Sequence, residues 1–230
     1  IMDIQNKNRK LLKKNHVYHE NMEHDACGVG LVASTEGLKS RKVVEYGIEA
    51  LKAVWHRGAI DADGKTGDGA GIHIEIPNDF FAEKIEITGH EHDNSDLCVG
   101  MIFLPRNDFG GQEQCRSIVE SELTKKNFNI YGWRQVPVDP SVLGEKAEQT
   151  RPEITQVLFT HNDKSIHGKD LERALYETRR KIEKEALRNQ LNNFYICSFS
   201  SKSIIYKGMF LAESLSDFYP DLKDERFISR

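Results

Sequence analysis

Hydrophobic residues in this chain recur with two periods, one of two residues and one of about 3.6, and each period predicts a different element. Ile72, Ile74 and Ile76 alternate with polar residues, and Pro77 follows them directly. The alternation predicts a half-buried β-strand. The strand should end at the proline, because proline lacks the backbone N–H that a strand ladder uses.

A helical period precedes this strand. The apolar positions on one face of the predicted helix are Val44, Ile48, Leu51 and Trp55. Ser40 stands where an N-cap residue would lie, and Gly58 stands where a C-terminal glycine would lie. We therefore predict a helix from Ser40 to about His56.

Segments of both kinds continue along the chain. Strands are predicted over residues 28–34, 97–104, 128–138, 154–160, 194–200 and 203–207, with the last two joined as a hairpin at Ser201-Lys202. Amphipathic periods predict helices over residues 111–126 and 170–188. Since helices occur singly or between pairs of strands, the pattern predicts an α+β fold, with helices layered on mainly antiparallel sheet.

Composition narrows the class of protein. The chain has 230 residues and a net charge of −4, which gives no sign of nucleic acid or a membrane surface as its main partner. No window holds the roughly 18 apolar residues of a membrane-spanning helix. The cysteines are far apart and lack zinc-site spacing, so we expect free thiols in a reducing compartment such as the cytoplasm, and no metal site.

Residues 1–26 differ from the rest. They begin at Ile1, carry a basic run from Lys7 to Lys14 and show little hydrophobic periodicity. A solvated tail is one interpretation, and an organellar presequence is another. Under either interpretation the segment precedes Cys27 and has the position of a leader or propeptide, with the main domain covering residues 27–230.

Cys27 is the candidate nucleophile. A free thiol has a pKa near 8.5, so only a few per cent of it is thiolate at neutral pH. If Cys27 became the first residue, its own α-amine, with a pKa of about 7.7–8.0, could take the thiol proton. Gly28 and Gly30 would let the backbone approach a substrate closely. From these residues alone, a buried structural cysteine is the alternative interpretation.

Two further motifs follow Cys27. Arg57 lies at the predicted C-terminus of the helix, where its guanidinium could hold carbonyl groups or simply complement the helix dipole. The glycine-rich run from Thr66 to Gly71 lacks the Lys-Ser/Thr of a phosphate loop and leads into a strand. We interpret Gly67, Asp68 and Gly69 as a tight turn that supports the wall of a site.

In combination, these motifs resemble the N-terminal domain of the glutamate synthase large chain. The matching segments, in order, are Glu23-His24-Asp25-Ala26-Cys27-Gly28-Val29-Gly30, His56-Arg57-Gly58-Ala59, Ala62-Asp63, Thr66-Gly67-Asp68-Gly69-Ala70-Gly71-Ile72, Ile76-Pro77, Phe80-Phe81, Phe194-Tyr195-Ile196-Cys197-Ser198, Tyr206-Lys207-Gly208-Met209 and Phe218-Tyr219-Pro220-Asp221-Leu222. The resemblance runs from about residue 20 to the end of the chain.

The resemblance implies a class II glutamine amidotransferase of the N-terminal-nucleophile hydrolase fold, a four-layer αββα sandwich that is truncated at its C-terminus here. It implies that Cys27, exposed by removal of the leader, attacks L-glutamine and releases ammonia through a glutamyl thioester. Arg57 matches the arginine that orders the surroundings of the nucleophile. In the full enzyme, ammonia would pass to downstream domains of the same chain, where FMN and an iron–sulfur cluster serve the reductive amination of 2-oxoglutarate. A reductase small subunit or ferredoxin would supply the electrons.

Two motifs of the resembled family are missing. The chain contains no Asn-Gly pair for an oxyanion hole, and Arg226-Phe227-Ile228-Ser229 only imitates the arginine motif that binds the substrate carboxylate. Because one lost oxyanion donor costs roughly 10²–10³ in rate, we expect these 230 residues to be inactive alone, with substrate-binding residues beyond Arg230. The alternatives are another class II amidotransferase and an inactive or regulatory remnant.

Overall fold

The computed structural model describes residues 28–54, 60–91 and 96–230. Within these ranges the α-helices are α1 (Arg41–Ala53), α2 (Asn78–Ile87), α3 (Phe109–Lys125), α4 (Glu145–Thr150), α5 (Gly168–Arg188) and α6 (Leu215–Phe218). The strands are β1 (Ala70–Glu75), β2 (Cys98–Leu104), β3 (Phe128–Gln135), β4 (Glu153–His161), β5 (Tyr195–Ser200) and β6 (Ser203–Gly208). Short 3₁₀ turns lie at Pro140–Val142, Ala212–Ser214 and Pro220–Lys223.

The larger sheet contains four antiparallel strands in the order β3-β4-β2-β5. Its central strands, β2 and β4, are buried along nearly their whole length, which explains why they are apolar in sequence without a clear alternation. Successive side chains still point to opposite faces, so Val99 and Met101 enter one core while Ile102 and Leu104 enter the other. The mixed helical and antiparallel content agrees with the predicted α+β class.

Strands β1 and β6 form a separate two-stranded antiparallel sheet, in register from Ala70 opposite Gly208 to Glu75 opposite Ser203. The predicted hairpin at Ser201-Lys202 is therefore wrong, because β5 pairs with β2 and β6 pairs with β1. At this point the chain crosses from one sheet to the other. Glu172 of α5 fixes the crossing by accepting hydrogen bonds from the Ser201 N–H and from the hydroxyls of Ser200 and Ser201.

The predicted buried strand over residues 28–34 is also wrong in the described structure. No strand is assigned there, and the side chains of Val29 and Leu31 are 89% and 92% exposed. A strand needs a hydrogen-bonded neighbour, and no described strand pairs with this segment. An apolar run favours burial, but it does not specify which strand would be the partner.

Helix α1 buries Val44 and Ile48, and Leu51 is partly buried, which confirms this part of the face predicted from the 3.6-residue period. Trp55 and the predicted end of the helix at His56 and Gly58 lie outside the described residues. Ser40 occupies the N-cap position, although its side chain makes no cap hydrogen bond there. Instead its backbone exchanges two hydrogen bonds with Ser229, of 2.9 and 3.2 Å. Arg41 also donates to the carbonyl of Leu222, so the start of α1 holds the C-terminal segment of the described chain.

Two hydrophobic cores lie on opposite faces of the four-stranded sheet. The helix-side core joins that sheet to α3 and α5, with contributions from Cys115, Val119, Leu171, Leu175 and Ile182. The inter-sheet core joins its other face to the two-stranded sheet, α1, α2 and the C-terminal segment, with contributions from Phe80, Phe81, Ile204, Tyr206 and Phe227. The four-stranded sheet is thus covered on both faces.

A buried ion pair ties three of these parts together. Both terminal guanidinium nitrogens of Arg134, on β3, donate to the Asp221 carboxylate at 2.7 Å, and Tyr206 of β6 donates to the same carboxylate at 3.1 Å. Arg134 also donates to Gln156 of β4 at 2.8 Å. Burial, followed by the charge of Asp221, raises the pKa of Tyr206 well above its usual value, so the phenol stays protonated and donates.

Candidate active site

A cleft of about 820 Å³ is lined by residues of both sheets, which is within the size range of small-molecule sites. Phe103 and Ile154 contribute from the four-stranded sheet, and Ile205 contributes from the two-stranded sheet. Gly28 lies among the lining residues, although it is distant in sequence from these strands. The lining is mostly apolar, so the few polar groups that face the cleft have a large influence on what it can bind.

The loop before β1 closes on itself through Asp63. One carboxylate oxygen, Oδ1, accepts hydrogen bonds from the Thr66 and Lys65 N–H groups at 2.7 and 2.9 Å, and the other, Oδ2, accepts from the Thr66 hydroxyl at 2.5 Å. The Asp61 N–H donates to the Thr66 carbonyl at 2.9 Å. Gly64 has a φ of 69°, a left-handed conformation that favours glycine. This loop delivers the chain to Gly67.

The predicted site-wall residues Gly67, Asp68 and Gly69 all line the cleft. A Cβ added to Gly67 would lie 2.9 Å from the Phe210 carbonyl oxygen, so only glycine allows this close approach. Gly69 has a φ of 120°, where side chains are strained. Steric constraints therefore explain why glycine occupies positions 67 and 69. The role of these residues as the wall of a catalytic site remains a prediction.

Sequence reasoning missed the polar groups that the strands bring to the cleft. Lys207 donates to the Tyr195 hydroxyl at 2.7 Å and lies 4.5 Å from the centre of its ring, and both residues line the cleft. His73 also lines it, with Nε2 2.7 Å from the Ser203 hydroxyl. For His73, the sequence shows only a polar residue between two apolar ones in an alternating strand. Such a residue can face either a cleft or open solvent, so the pattern does not identify it as part of a site.

The predicted catalytic residues Cys27 and Arg57 lie outside the described residues. Their described neighbours do line the cleft: Gly28 directly follows Cys27, and Val54 and Ile60 stand three residues before and after Arg57. Stretches of chain that flank both predicted residues thus reach the same cleft as Gly67, Asp68 and Gly69.

The described cysteines are free packing residues, in agreement with the expected free thiols. Cys98, Cys115 and Cys197 lie in β2, α3 and β5 and are at most 4% exposed. Burial raises the pKa of all these thiols, to about 11 for Cys115 and Cys197 and further for Cys98. Because the thiolate is the reactive form, these groups are poor nucleophiles at neutral pH.

We expect N-ethylmaleimide at pH 7.5 to leave Cys98, Cys115 and Cys197 unmodified for as long as the protein stays folded, and to modify all of them in denaturant. Peptide mass spectrometry after a short exposure measures this. Tyr176→Cys is the control, because Tyr176 is 63% exposed on α5 and a thiol there should react at once. Rapid native modification of Cys98 would contradict the packing described above.

Arg226 belongs to the structural framework of the C-terminal segment. Its guanidinium donates to both oxygens of Asp224 and to Glu83, and it lies over the ring of Phe80. The hydrogen bonds from Arg226 lower the pKa of Asp224 to about 2. Arg226 does not line the cleft, which agrees with the expectation that its motif only imitates the one that binds the substrate carboxylate.

Residues 28–54, 60–91 and 96–230 contain no group of three histidine, cysteine or acidic side chains placed to hold a metal ion. None of the helices in these ranges combines the length and apolarity needed to cross a bilayer.

Comparison with known proteins gives consistent matches. The family model of class II glutamine amidotransferases matches residues 27–230. The chain is 54% identical over 222 residues to the glutamate synthase [NADPH] large chain of Azospirillum brasilense, covering 96% of this chain and 15% of that protein. It is 38% identical over 208 residues to ferredoxin-dependent glutamate synthase 2 of Synechocystis, covering 90% and 13%. It is 38% identical over 209 residues to the chloroplastic ferredoxin-dependent glutamate synthase of spinach, Spinacia oleracea, again covering 90% and 13%.

Proposed function

The chain belongs to the class II glutamine amidotransferases, and on that premise we propose that it is the glutamine-hydrolysing part of a glutamate synthase. It spans only 13–15% of the length of the curated relatives described above, so the activity of the whole protein is part of the proposal. The reaction converts L-glutamine and water into L-glutamate and ammonia.

Cys27 is the nucleophile in this proposal. Its sulfur attacks the side-chain amide carbon of glutamine, and the C–N bond breaks as ammonia leaves with a proton from the α-amine of Cys27. Water then attacks the glutamyl thioester, which releases glutamate and restores the thiol. Arg57 orders the chain around the sulfur, and Gly67, Asp68 and Gly69 form one wall of the site.

The observation that carries the proposal is the convergence of separate stretches of chain on one cleft. The cleft is lined by residues that flank the predicted catalytic residues, namely Gly28, Val54 and Ile60. It is also lined by the residues of the predicted wall, Gly67, Asp68 and Gly69. The family match begins at residue 27 itself. The described thiols are buried and have raised pKa values, so none of them competes for the role of nucleophile.

The proposal includes maturation and the complete fold. Residues 1–26 act as a leader, because Cys27 can use its own amine as a base only after the preceding peptide bond is cut. Residues 27–230 form the first part of a four-layer αββα N-terminal-nucleophile hydrolase sandwich. The support for this arrangement is a four-stranded sheet with helices α3 and α5 on one face and the two-stranded sheet in the core on the other.

In the whole protein, ammonia released at Cys27 would travel to downstream domains that hold FMN and an iron–sulfur cluster. These cofactors would carry electrons from an external donor to the reductive amination of 2-oxoglutarate, and we assign no residue of the present chain to them. One relative is named as NADPH-dependent and others as ferredoxin-dependent, which favours either a reductase small subunit or ferredoxin as the electron donor. Chloroplastic relatives keep an organellar location open beside the cytoplasm.

The direct test is glutaminase activity of the intact protein without 2-oxoglutarate or an electron donor, so that no ammonia is consumed downstream, with glutamate and ammonia measured in the same reaction. Both should form in equal amounts, and a glutamine analogue with an electrophilic carbon in place of the amide should block both by alkylating one site. Ammonia release without equimolar glutamate, or full activity after alkylation at Cys27, would overturn the proposal. Another class II amidotransferase would instead require a second substrate, such as a sugar phosphate, for turnover.

A further inference from the structure

We propose that Asp63 is a positioning residue of this site, whose carboxylate holds the loop before β1 against the start of α4 and so presents Gly67, Asp68 and Gly69 to the cleft. The inference rests on the proposed function, because it gives Asp63 a part in glutamine hydrolysis. Asp63 does not itself line the cleft, so it would act through the loop that it closes.

The first step in the argument is the number of donors that converge on one carboxylate. Asp63 accepts from two backbone N–H groups and one hydroxyl, all within its own loop. The Glu145 backbone lies near enough to this carboxyl to contribute to lowering its pKa. Thr66, which provides two of the loop donors, is only 5% exposed. Ionised acceptors form the stronger class of hydrogen bond, so removal of the charge should loosen the whole loop.

The second step is the tight fit between this loop and α4. A Cβ added to Gly144, the N-cap residue of α4, would lie 2.2 Å from Asp63 Oδ2, 2.2 Å from the Thr66 hydroxyl and 2.6 Å from the Thr66 nitrogen. Lys146 and Asp61 form an ion pair of 2.6 Å at the same junction. The loop and α4 are therefore in direct contact at Asp63.

The third step links the junction to the cleft. Thr66 is held by Asp63, and the next residue, Gly67, contacts Phe210 and already lines the cleft. On the other side of the junction, Ala147 and Thr150 of α4 also line the cleft. Asp63 thus sits where two segments of the cleft wall are fastened to each other.

The charge that this role needs is present at physiological pH. Hydrogen bonds from the Thr66 side chain and from the Thr66 and Lys65 backbone lower the pKa of Asp63 to about 2. A carboxylate with a lowered pKa contributes its stabilisation above its unfolded value of about 3.9 and loses it as the pH falls towards 2. The loop should therefore stay closed across the pH range in which a glutaminase works.

The test compares wild type, Asp63→Asn and Gly144→Ala in the intact protein. In Asp63→Asn, an amide NH₂ replaces one carboxylate oxygen, so at least one backbone or hydroxyl donor loses its acceptor. In Gly144→Ala, the added methyl group displaces the carboxylate of Asp63 without changing any charge. We expect both variants to raise the KM for glutamine about tenfold, the loss expected from a weakened set of charged hydrogen bonds. Hydrogen exchange at the amides of residues 65–69 should become faster in both.

Asp163→Asn is the matched control. Asp163 accepts from the Ser165 N–H and hydroxyl at 2.9 and 2.7 Å, the same turn chemistry, and it does not line the cleft. We expect its KM to stay within about twofold of wild type.

A lower melting temperature in Asp63→Asn with unchanged KM and unchanged exchange would reduce Asp63 to a structural residue. If wild type releases no ammonia, the proposed function fails, and unchanged exchange in Asp63→Asn would separately refute its role in holding the loop.

Discussion

We expect Cys27→Ala to lower glutamine hydrolysis by about 10³-fold or more, because removal of the proposed nucleophile leaves only the contributions of binding and orientation. The expected effect is on kcat, with glutamine still bound, since the sulfur reacts with the substrate but does not anchor it. The measurement is ammonia release by the intact protein under saturating glutamine.

Two controls separate this loss from damage to the fold. Cys197→Ala removes a thiol that is 4% exposed and lies in β5, so it should retain most of the activity and lose only some stability. Ammonia-dependent activity at any downstream site should survive in Cys27→Ala, because added ammonia bypasses glutamine. Glutamine hydrolysis by Cys27→Ala at more than about a tenth of the wild-type rate would rule out this nucleophile.

Asp221→Asn should destabilise the fold by about 3–5 kcal/mol, because it leaves the largely buried guanidinium of Arg134 without its carboxylate partner. The Arg134 and Asp221 side chains are 15% and 4% exposed, so water can compensate only part of the lost interaction. For a domain of this size the melting temperature should fall by roughly 6–20 °C. Thermal or urea unfolding of the variant beside wild type measures the change.

Asp217→Asn provides the matched control for that prediction. Asp217 pairs with Lys223 at 2.8 Å in the same C-terminal segment, but both side chains are 58% exposed. An exposed pair of this kind contributes about 0–1 kcal/mol, so this variant should unfold close to wild type. Equal losses in the two variants would show that the network around Arg134 is not the anchor described here.

Local periodicity predicted those parts of the fold that depend on local burial. The face of α1 and the strand β1 follow directly from hydrophobic spacing, because burial of one face is recorded in the sequence itself. The strands β2 and β4 follow instead from apolar runs that are buried on both faces. The short helix α4 was not predicted, since six residues are too few for a period to stand out. The crossing at Ser201-Lys202 was predicted as a hairpin because pairing partners are not encoded in the alternation of either strand.

For the candidate site, the sequence alone identified those residues whose type is required by local steric constraints on the backbone. The glycines at 67 and 69 could be selected because close approach and a left-handed φ leave few alternatives. Lys207 and Tyr195 could not be selected, because their contact joins residues twelve positions apart on strands of different sheets. Asp63 was visible as part of a motif, but its junction with Gly144 is a contact that only the fold reveals.

In the proposed mechanism, every step from Cys27 to released ammonia depends on a free amine on that residue. The most direct measurement is therefore the N-terminal sequence, by mass spectrometry, of the protein fraction that hydrolyses glutamine and that an electrophilic glutamine analogue labels. The account predicts a chain that begins at Cys27 and carries the label on that residue. A fully active protein that still carries residues 1–26, or a label on another side chain, would contradict it.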